Sequence, residues 1–135
     1  MRFGSMLLAG ALLLPSHVAA AEWSHSIARG LDLYQVSGPG VSINLICDPD
    51  LVYGSSNAGL DLKLGSSPGP EGQVLFQAGD VVLEATALRG RIGPEAPSWA
   101  GLLAMLGTEG TVQIEYGGSG YSLQVDEAVA FSCAP

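Results

Sequence analysis

The chain has 135 residues, the length of one ordinary domain. Only 13% of its residues are charged, and 13 acidic against 5 basic residues give a formal net charge of −8. This composition argues against a coiled coil, a helical bundle or a charged disordered tail, which need many more charged residues. It also argues against a nucleic-acid partner, because phosphate neutralisation requires clustered lysine and arginine.

The first 21 residues have the pattern of a secretory signal peptide. Arg2 supplies a positive start, and residues 6–14 form an apolar core that is too short to span a bilayer as a helix. Pro15 ends this core, and small residues follow it. The alternatives are an uncleaved membrane anchor and a buried helix, and the short core and small-residue exit favour the signal peptide.

The small residues Ala19, Ala20 and Ala21 predict cleavage before Glu22, and residues 18–20 form a second, nearly equivalent cleavage pattern. We therefore expect residues 1–21 to be removed. Residues 22–135 then form a single exported domain, periplasmic or secreted, with no membrane span after cleavage.

Cys47 and Cys133 are the two cysteines, and both lie in the expected mature chain. An even cysteine count in an exported chain predicts a disulfide bond, here with one possible connectivity. The alternatives are two buried free thiols, or a metal site, which would need more cysteine or histidine partners than the chain offers. We expect a structural bridge, because the short Cys-x-x-Cys spacing of redox-active pairs is absent.

Alternating apolar and polar residues predict a series of short strands. Val41, Ile43 and Leu45 alternate with polar neighbours and lead to Cys47, and a glycine-rich turn at residues 117–120 joins two further alternating segments as a hairpin. The segments expected to be strands are, in chain order, residues 23–27, 31–35, 41–47, 60–64, 73–77, 81–88, 112–116 and 121–125.

One segment has helical spacing instead. Trp99, Leu102, Leu103 and Leu106 lie on one face of a helix over residues 98–106, with Ser98 as N-cap and a glycine after its end. This apolar face is either a docking stripe for a partner or part of the core, and a short helix needs core packing to be stable.

Asp126 can cap a last, short C-terminal helical turn over residues 127–132 that brings Cys133 back to Cys47. The resulting fold class is mostly β: an antiparallel sandwich or barrel with one short helix and this terminal turn.

Candidate catalytic groups are few, and we expect no catalytic residue and no cofactor. After cleavage His25 is the only histidine that could serve as a base to a nucleophile. Ser119 lies in a hairpin turn that lacks the full nucleophile-elbow pattern. Glu84 and Glu115 are carboxylates that could act in acid–base catalysis, but their positions in the alternation predict solvent exposure.

A cluster of oxygen-bearing side chains follows the strand at residues 41–47. Asp48, Asp50, Asn57 and Asp61 are the hard ligands that calcium prefers. Their spacing is not that of an EF-hand loop, and Asp-Pro-Asp is common in turns. Calcium therefore remains a minor alternative to the expectation of no metal.

The order of these features resembles that of small exported alpha-proteobacterial proteins of the invasion-associated locus B group. The similar elements are the signal peptide, the strand that ends in Cys47-Asp48, residues 99–106 before a glycine, Tyr121-Ser122-Leu123 and the terminal Cys133. The resemblance implies a β-rich, non-enzymatic envelope protein, and it transfers no site residue.

These observations predict an exported binding or structural protein of the cell envelope, whose protein or small-molecule partner and oligomeric state the sequence does not identify. A binding module predicts an apolar surface patch or a concave pocket. One alternative is an inhibitor of an envelope-directed hydrolase, with an exposed rigid loop at residues 66–72 or 90–98. Another is an enzyme that uses two carboxylates in one cleft.

Overall fold

The computed structural model describes residues 21–52, 58–66 and 69–133. Within these ranges the chain forms nine strands and one helix. They are β1 Ser24–Ala28, β2 Leu31–Gly38, β3 Val41–Cys47, β4 Gly59–Leu64, β5 Gly72–Ala78, β6 Val81–Ala87, β7 Arg91–Ile92, α1 Trp99–Leu106, β8 Gly110–Tyr116 and β9 Ser119–Val125. Each expected strand is present, and only the two-residue β7 was not predicted. No helix in these ranges has the length and apolar character needed to cross a membrane.

The strands form two antiparallel sheets that pack as a β-sandwich, which confirms the predicted fold class. Sheet 1 has the strand order β1-β2-β3-β4-β7, and sheet 2 has the order β6-β5-β8-β9. Consecutive strands are joined mainly by short hairpins. The three exceptions cross between the sheets: β4 to β5, β6 to β7, and β7 through α1 to β8.

The core lies between the sheets, where the alternating residues of each strand meet. Along β3, Val41, Ile43, Leu45 and Cys47 are buried and the residues between them are half-buried. The opposite sheet contributes side chains such as Phe76, Ile114 and Leu123 to the same buried cluster. Period-two alternation therefore places one row of each strand in the core, as expected of a half-buried strand.

Sheet 1 has one strand more than sheet 2, so the two sheets do not cover each other completely. β9 lies against β2 and β3, and β6 lies against β7. β1 is thus left at the edge of sheet 1, and all five of its residues are exposed. The chain enters this edge from sheet 2, because Ala21 first pairs with Val125 of β9.

The helix α1 packs its apolar face into the core, which confirms the core interpretation of the stripe. Trp99, Leu102 and Leu106 are buried as expected, and Met105 is buried while Leu103 is only partly buried. Ser98 occupies the N-cap position, but its hydroxyl forms no capping bond. It donates instead to the carbonyl of Glu84 at 2.7 Å, which ties the start of α1 to β6.

The predicted C-terminal helical turn is wrong: none of residues 126–133 is helical. The amide of Asp126 donates to the carbonyl of Ala21, and the amide of Val129 donates to the carbonyl of Gly107 at 2.8 Å. In the predicted turn the Asp126 side chain would accept the amide of Val129 as its capping bond, but a distant carbonyl takes this donor instead. A Cβ at Gly107 would collide with the carbonyl of Val129, so glycine permits this close approach.

Candidate functional site

The predicted disulfide between Cys47 and Cys133 is confirmed. The two Cα atoms are 4.5 Å apart, and the bridge joins positions separated by 86 residues. Cys47 is fully buried and Cys133 is nearly so. The bridge fixes the C-terminal segment, residues 126–133, to the end of β3.

A polar cluster lies beside the disulfide, and its centre is Asp32. His25 Nε2 is 2.7 Å from Asp32 Oδ1, and the hydroxyl of Ser132 donates to Asp32 Oδ2 at 2.7 Å. The Tyr34 hydroxyl lies 3.1 Å from Ser132 Oγ and accepts the Ser132 amide at 3.3 Å. Since the one hydroxyl proton of Ser132 goes to Asp32, Tyr34 is the donor to Ser132. The hydroxyl protons of Tyr34 and Ser132 therefore each have an assigned acceptor.

The register of sheet 1 explains how this cluster forms. Asp32 pairs with Cys47 across β2 and β3, and His25 pairs with Tyr34 across β1 and β2. The disulfide then brings Ser132, the residue before Cys133, to the same place. The hydrogen bond from Ser132 and then that from His25 lower the pKa of the Asp32 carboxyl below its ordinary value.

Aromatic rings extend the cluster into the core. The His25 ring stacks on Tyr34 with centroids 4.5 Å apart, and Phe131 makes edge contacts at 4.9 Å with both Tyr34 and Trp23. The indole N–H of Trp23 donates to the carbonyl of Leu106 at 2.9 Å. The C-terminal segment is therefore held between β1, β2 and the end of α1.

This cluster does not have the geometry of nucleophilic catalysis. A serine nucleophile needs its hydroxyl on the base, whereas Ser132 and His25 each contact a different oxygen of Asp32. The contacts join β1 to β2 and the C-terminal segment to β2. The arrangement supports a structural role, and the sequence reasoning missed it because Ser132 lies 100 positions from Asp32.

The structure does not place the described calcium candidates in one site. Asp48 Oδ1 accepts the amide of Val52 at 2.9 Å, which is turn chemistry. Asp61 lies on β4 opposite Asn44, with Arg91 Nη1 3.9 Å from its carboxylate. Asp50 is exposed. Asn57 lies outside the described residues. In the described part of the chain, no group of three or more histidine, cysteine or acidic residues is arranged to hold a metal.

The two carboxylates considered for acid–base catalysis lie on the outer face of sheet 2. Glu84 and Glu115 are both exposed, as the alternation predicted, and each pairs with Leu75 from opposite sides. They are therefore two strands apart, and they line different surface depressions.

The two loops considered for an inhibitor lie against each other. Residues 67 and 68 of the first loop are outside the described residues. The amide of Gly90, in the second loop, donates to the carbonyl of Pro70 in the first at 2.8 Å, and Gly90 also accepts the amide of Leu62. Next to this contact, Leu88 is 71% exposed.

An apolar groove of about 360 Å³ lies between α1 and the β5–β6 hairpin, and the start of β8 closes one end. Its apolar lining consists of Ala78, Val81, Leu83, Ala104, Met105 and Val112; the remaining lining residues are Gly101, Thr108, Glu109, Gly110 and Thr111. This volume lies within the range typical of small-molecule sites. We call this feature the α1 groove.

Small residues on α1 are the reason for the groove. Gly101 faces Leu83 so closely that a Cβ there would lie 3.1 Å from the leucine methyl, and Ala104 lies three positions further along the helix. Gly101 therefore lets Leu83 pack directly against α1, whereas the short side chain of Ala104, on the same helix face, leaves space beside this contact. The sequence contained this signal, but the prediction considered only the large apolar residues of the helix.

Comparison of this chain with protein-family models, with curated proteins and with solved structures finds no match in any of the three.

Proposed function

We propose that this protein is an exported, non-enzymatic binding protein that takes a small apolar molecule in the α1 groove. The observation that carries the proposal is the groove itself, with its six apolar lining residues. Concave, mostly apolar sites with a few polar groups are typical of small-molecule binding. Val81 contributes to the groove although it is 54% exposed, so a ligand would cover apolar surface that now faces water.

Export to the periplasm or the medium is the second part of the proposal. The Cys47–Cys133 disulfide supports it, because disulfides persist mainly in oxidising compartments. We place the cleavage before Ala21, at the second of the two predicted positions. Ala21 is buried, and its amide donates to the carbonyl of Gln124 at 2.8 Å. The mass of the mature N-terminus after expression with the full leader tests this choice.

A fluorescent apolar probe, N-phenyl-1-naphthylamine, tests binding in the groove. The Ala104→Trp variant fills the groove with an indole ring, and we expect it to weaken probe binding about tenfold or more, a loss of about 1.4 kcal/mol. Ala100→Trp is the matched control, because Ala100 is an exposed residue of the same helix that does not line the groove. Equal probe affinity in both variants would contradict the proposed site.

A second candidate function is the inhibition of an envelope-directed hydrolase. The hydrogen bond from Gly90 to Pro70 favours it, because it joins the described parts of the two loops beside the exposed Leu88. Rigid exposed loops lose little conformational entropy when they bind. The test adds the protein to a peptidoglycan hydrolase assay, with Leu88→Asp as the loop variant. An unchanged hydrolysis rate across a set of such enzymes counts against this function.

A further inference from the structure

We infer that the ligand of the α1 groove is a small amphiphilic cation, with a short alkyl or aryl body and one ammonium group. This inference rests on the proposed function, since it assigns the chemistry of a ligand in the same groove. Its basis is the electrostatic character of one end of the groove, where α1 ends and β8 begins.

Glu109 is the main source of negative potential at that end. Among the described residues that line the groove, it is the only charged one. It is exposed, so its carboxylate remains hydrated until a ligand arrives. A partly exposed carboxylate attracts a cation without the large desolvation cost of a fully buried ion pair.

The C-terminal end of α1 carries no positive charge that would repel a cation at this end of the groove. Helix dipoles place a partial negative charge at this end, and the last turn of α1 contains no basic residue. Its carbonyls accept neutral donors: the amides of Gly107 and Thr108, the Thr108 hydroxyl and the Trp23 indole. These neutral donors satisfy the hydrogen bonds without adding positive charge. Because these carbonyls already have donors, the helix end contributes little attraction of its own, and Glu109 is the group that favours a cation here.

The rest of the groove fits the apolar body of such a ligand. Ala78, Val81, Leu83 and Val112 offer apolar surface without charge, and the groove volume of about 360 Å³ limits the ligand to small-molecule size. The net charge of −8 on the whole chain adds a long-range attraction for cations and a repulsion for anions. An apolar anion is thus disfavoured at every distance.

Isothermal titration with three probes of equal chain length tests the inference: octyltrimethylammonium, octanol and octanoate. At low ionic strength we expect the cation to bind about fivefold or more tightly than octanol, the effect of a single partly exposed ion pair, with octanoate weakest. The Glu109→Gln variant should reduce the preference for the cation, and high salt should reduce it further. Glu115→Gln is the control, because Glu115 is also exposed but lies outside the groove.

The outcomes separate this inference from the proposed function. Equal affinities for all three probes, lost in Ala104→Trp, would overturn the cation assignment and leave the apolar groove as the binding site. A cation preference that Glu109→Gln and Glu115→Gln reduce equally would also overturn the assignment, since it would reflect net charge alone. No binding of any probe to the unmodified protein would overturn the proposed function itself.

Discussion

The helix α1 borders two opposite ways of completing a sandwich core, one at its C-terminal end and one on its face towards the β5–β6 hairpin. At its C-terminal side, the segment of residues 126–133 covers the overhanging part of sheet 1 with Phe131, Ser132 and Cys133. Among the described residues no buried side-chain nitrogen or oxygen lacks a hydrogen-bond partner, and the disulfide fixes the arrangement. On the face towards the β5–β6 hairpin, the small residues Gly101 and Ala104 leave a groove that no described segment covers.

The difference between the covered surface and the α1 groove shows how structural contacts can be distinguished from a candidate binding surface in this protein. The cluster of His25, Asp32 and Ser132 contains residue types that are common in catalytic sites. Its described contacts are internal to the fold, and they hold the C-terminal segment in place. The groove has few polar groups, yet it exposes apolar surface to water at a cost of about 25 cal/mol per Å². Surface of this kind is the more informative sign of a ligand.

We call the C-terminal end of α1, together with the segment of residues 126–133 that covers it, the closed end. Removal of the disulfide is expected to have the largest effect there. The double variant Cys47→Ala/Cys133→Ala opens a loop between residues 86 positions apart. In the chain-entropy model it should lower the free energy of unfolding by about 4 kcal/mol. Urea denaturation of both proteins, with and without a reductant, measures this loss. The double variant should not respond to the reductant, and an unchanged midpoint relative to the oxidised protein would contradict the prediction.

Phe131→Ala is expected to have the next largest effect. The ring is partly buried between Trp23 and Tyr34, with centroids 4.9 Å from each. Its loss should lower the free energy of unfolding by about 2 kcal/mol, less than for a fully buried phenylalanine. Leu88→Ala is the control, because Leu88 is 71% exposed and its truncation should cost less than about 0.5 kcal/mol. Equal losses in thermal or urea unfolding would show that the segment is not held by its ring contacts.

Most of the sandwich could be predicted because its strands are simple alternating segments. Val41 to Cys47 and the hairpin of β8 and β9 follow the period of two directly. β7 could not be predicted, since two residues carry no period. The prediction of a terminal helical turn was wrong because a local capping pattern does not include distant acceptors. The carbonyl of Gly107 accepts the amide of Val129, and the carbonyl of Ala21 accepts the amide of Asp126.

The sites depended on contacts between distant parts of the chain. The two cysteines predicted the disulfide, but not that it would bring Ser132 to Asp32 and Tyr34. Predicting the groove requires the knowledge that Gly101 faces Leu83. Only the packing of α1 on β6 determines this contact. The sequence pattern therefore identified which residues are buried, and not which surfaces remain open.

Asp32→Asn tests the polar part of the closed end through its pH dependence. The folded protein lowers the pKa of Asp32 through its bonds to Ser132 and His25, so these bonds stabilise the fold above the ordinary aspartate pKa of about 3.9. That stabilisation is lost as the pH falls through the lowered pKa of the folded state.

The melting temperature of Asp32→Asn should therefore lie furthest below that of the unmodified protein above about pH 5, and the two should approach each other as the pH falls through the lowered pKa of the folded state. Asp80→Asn, in the exposed turn between β5 and β6, is the matched control for loss of one carboxylate. A deficit in Asp32→Asn that stays constant from acid to neutral pH would mean that the side chain contributes only by its shape and its neutral hydrogen bonds. In that case the closed end would depend on the disulfide and the aromatic contacts alone, and its charge would be as incidental as that of the exposed turn.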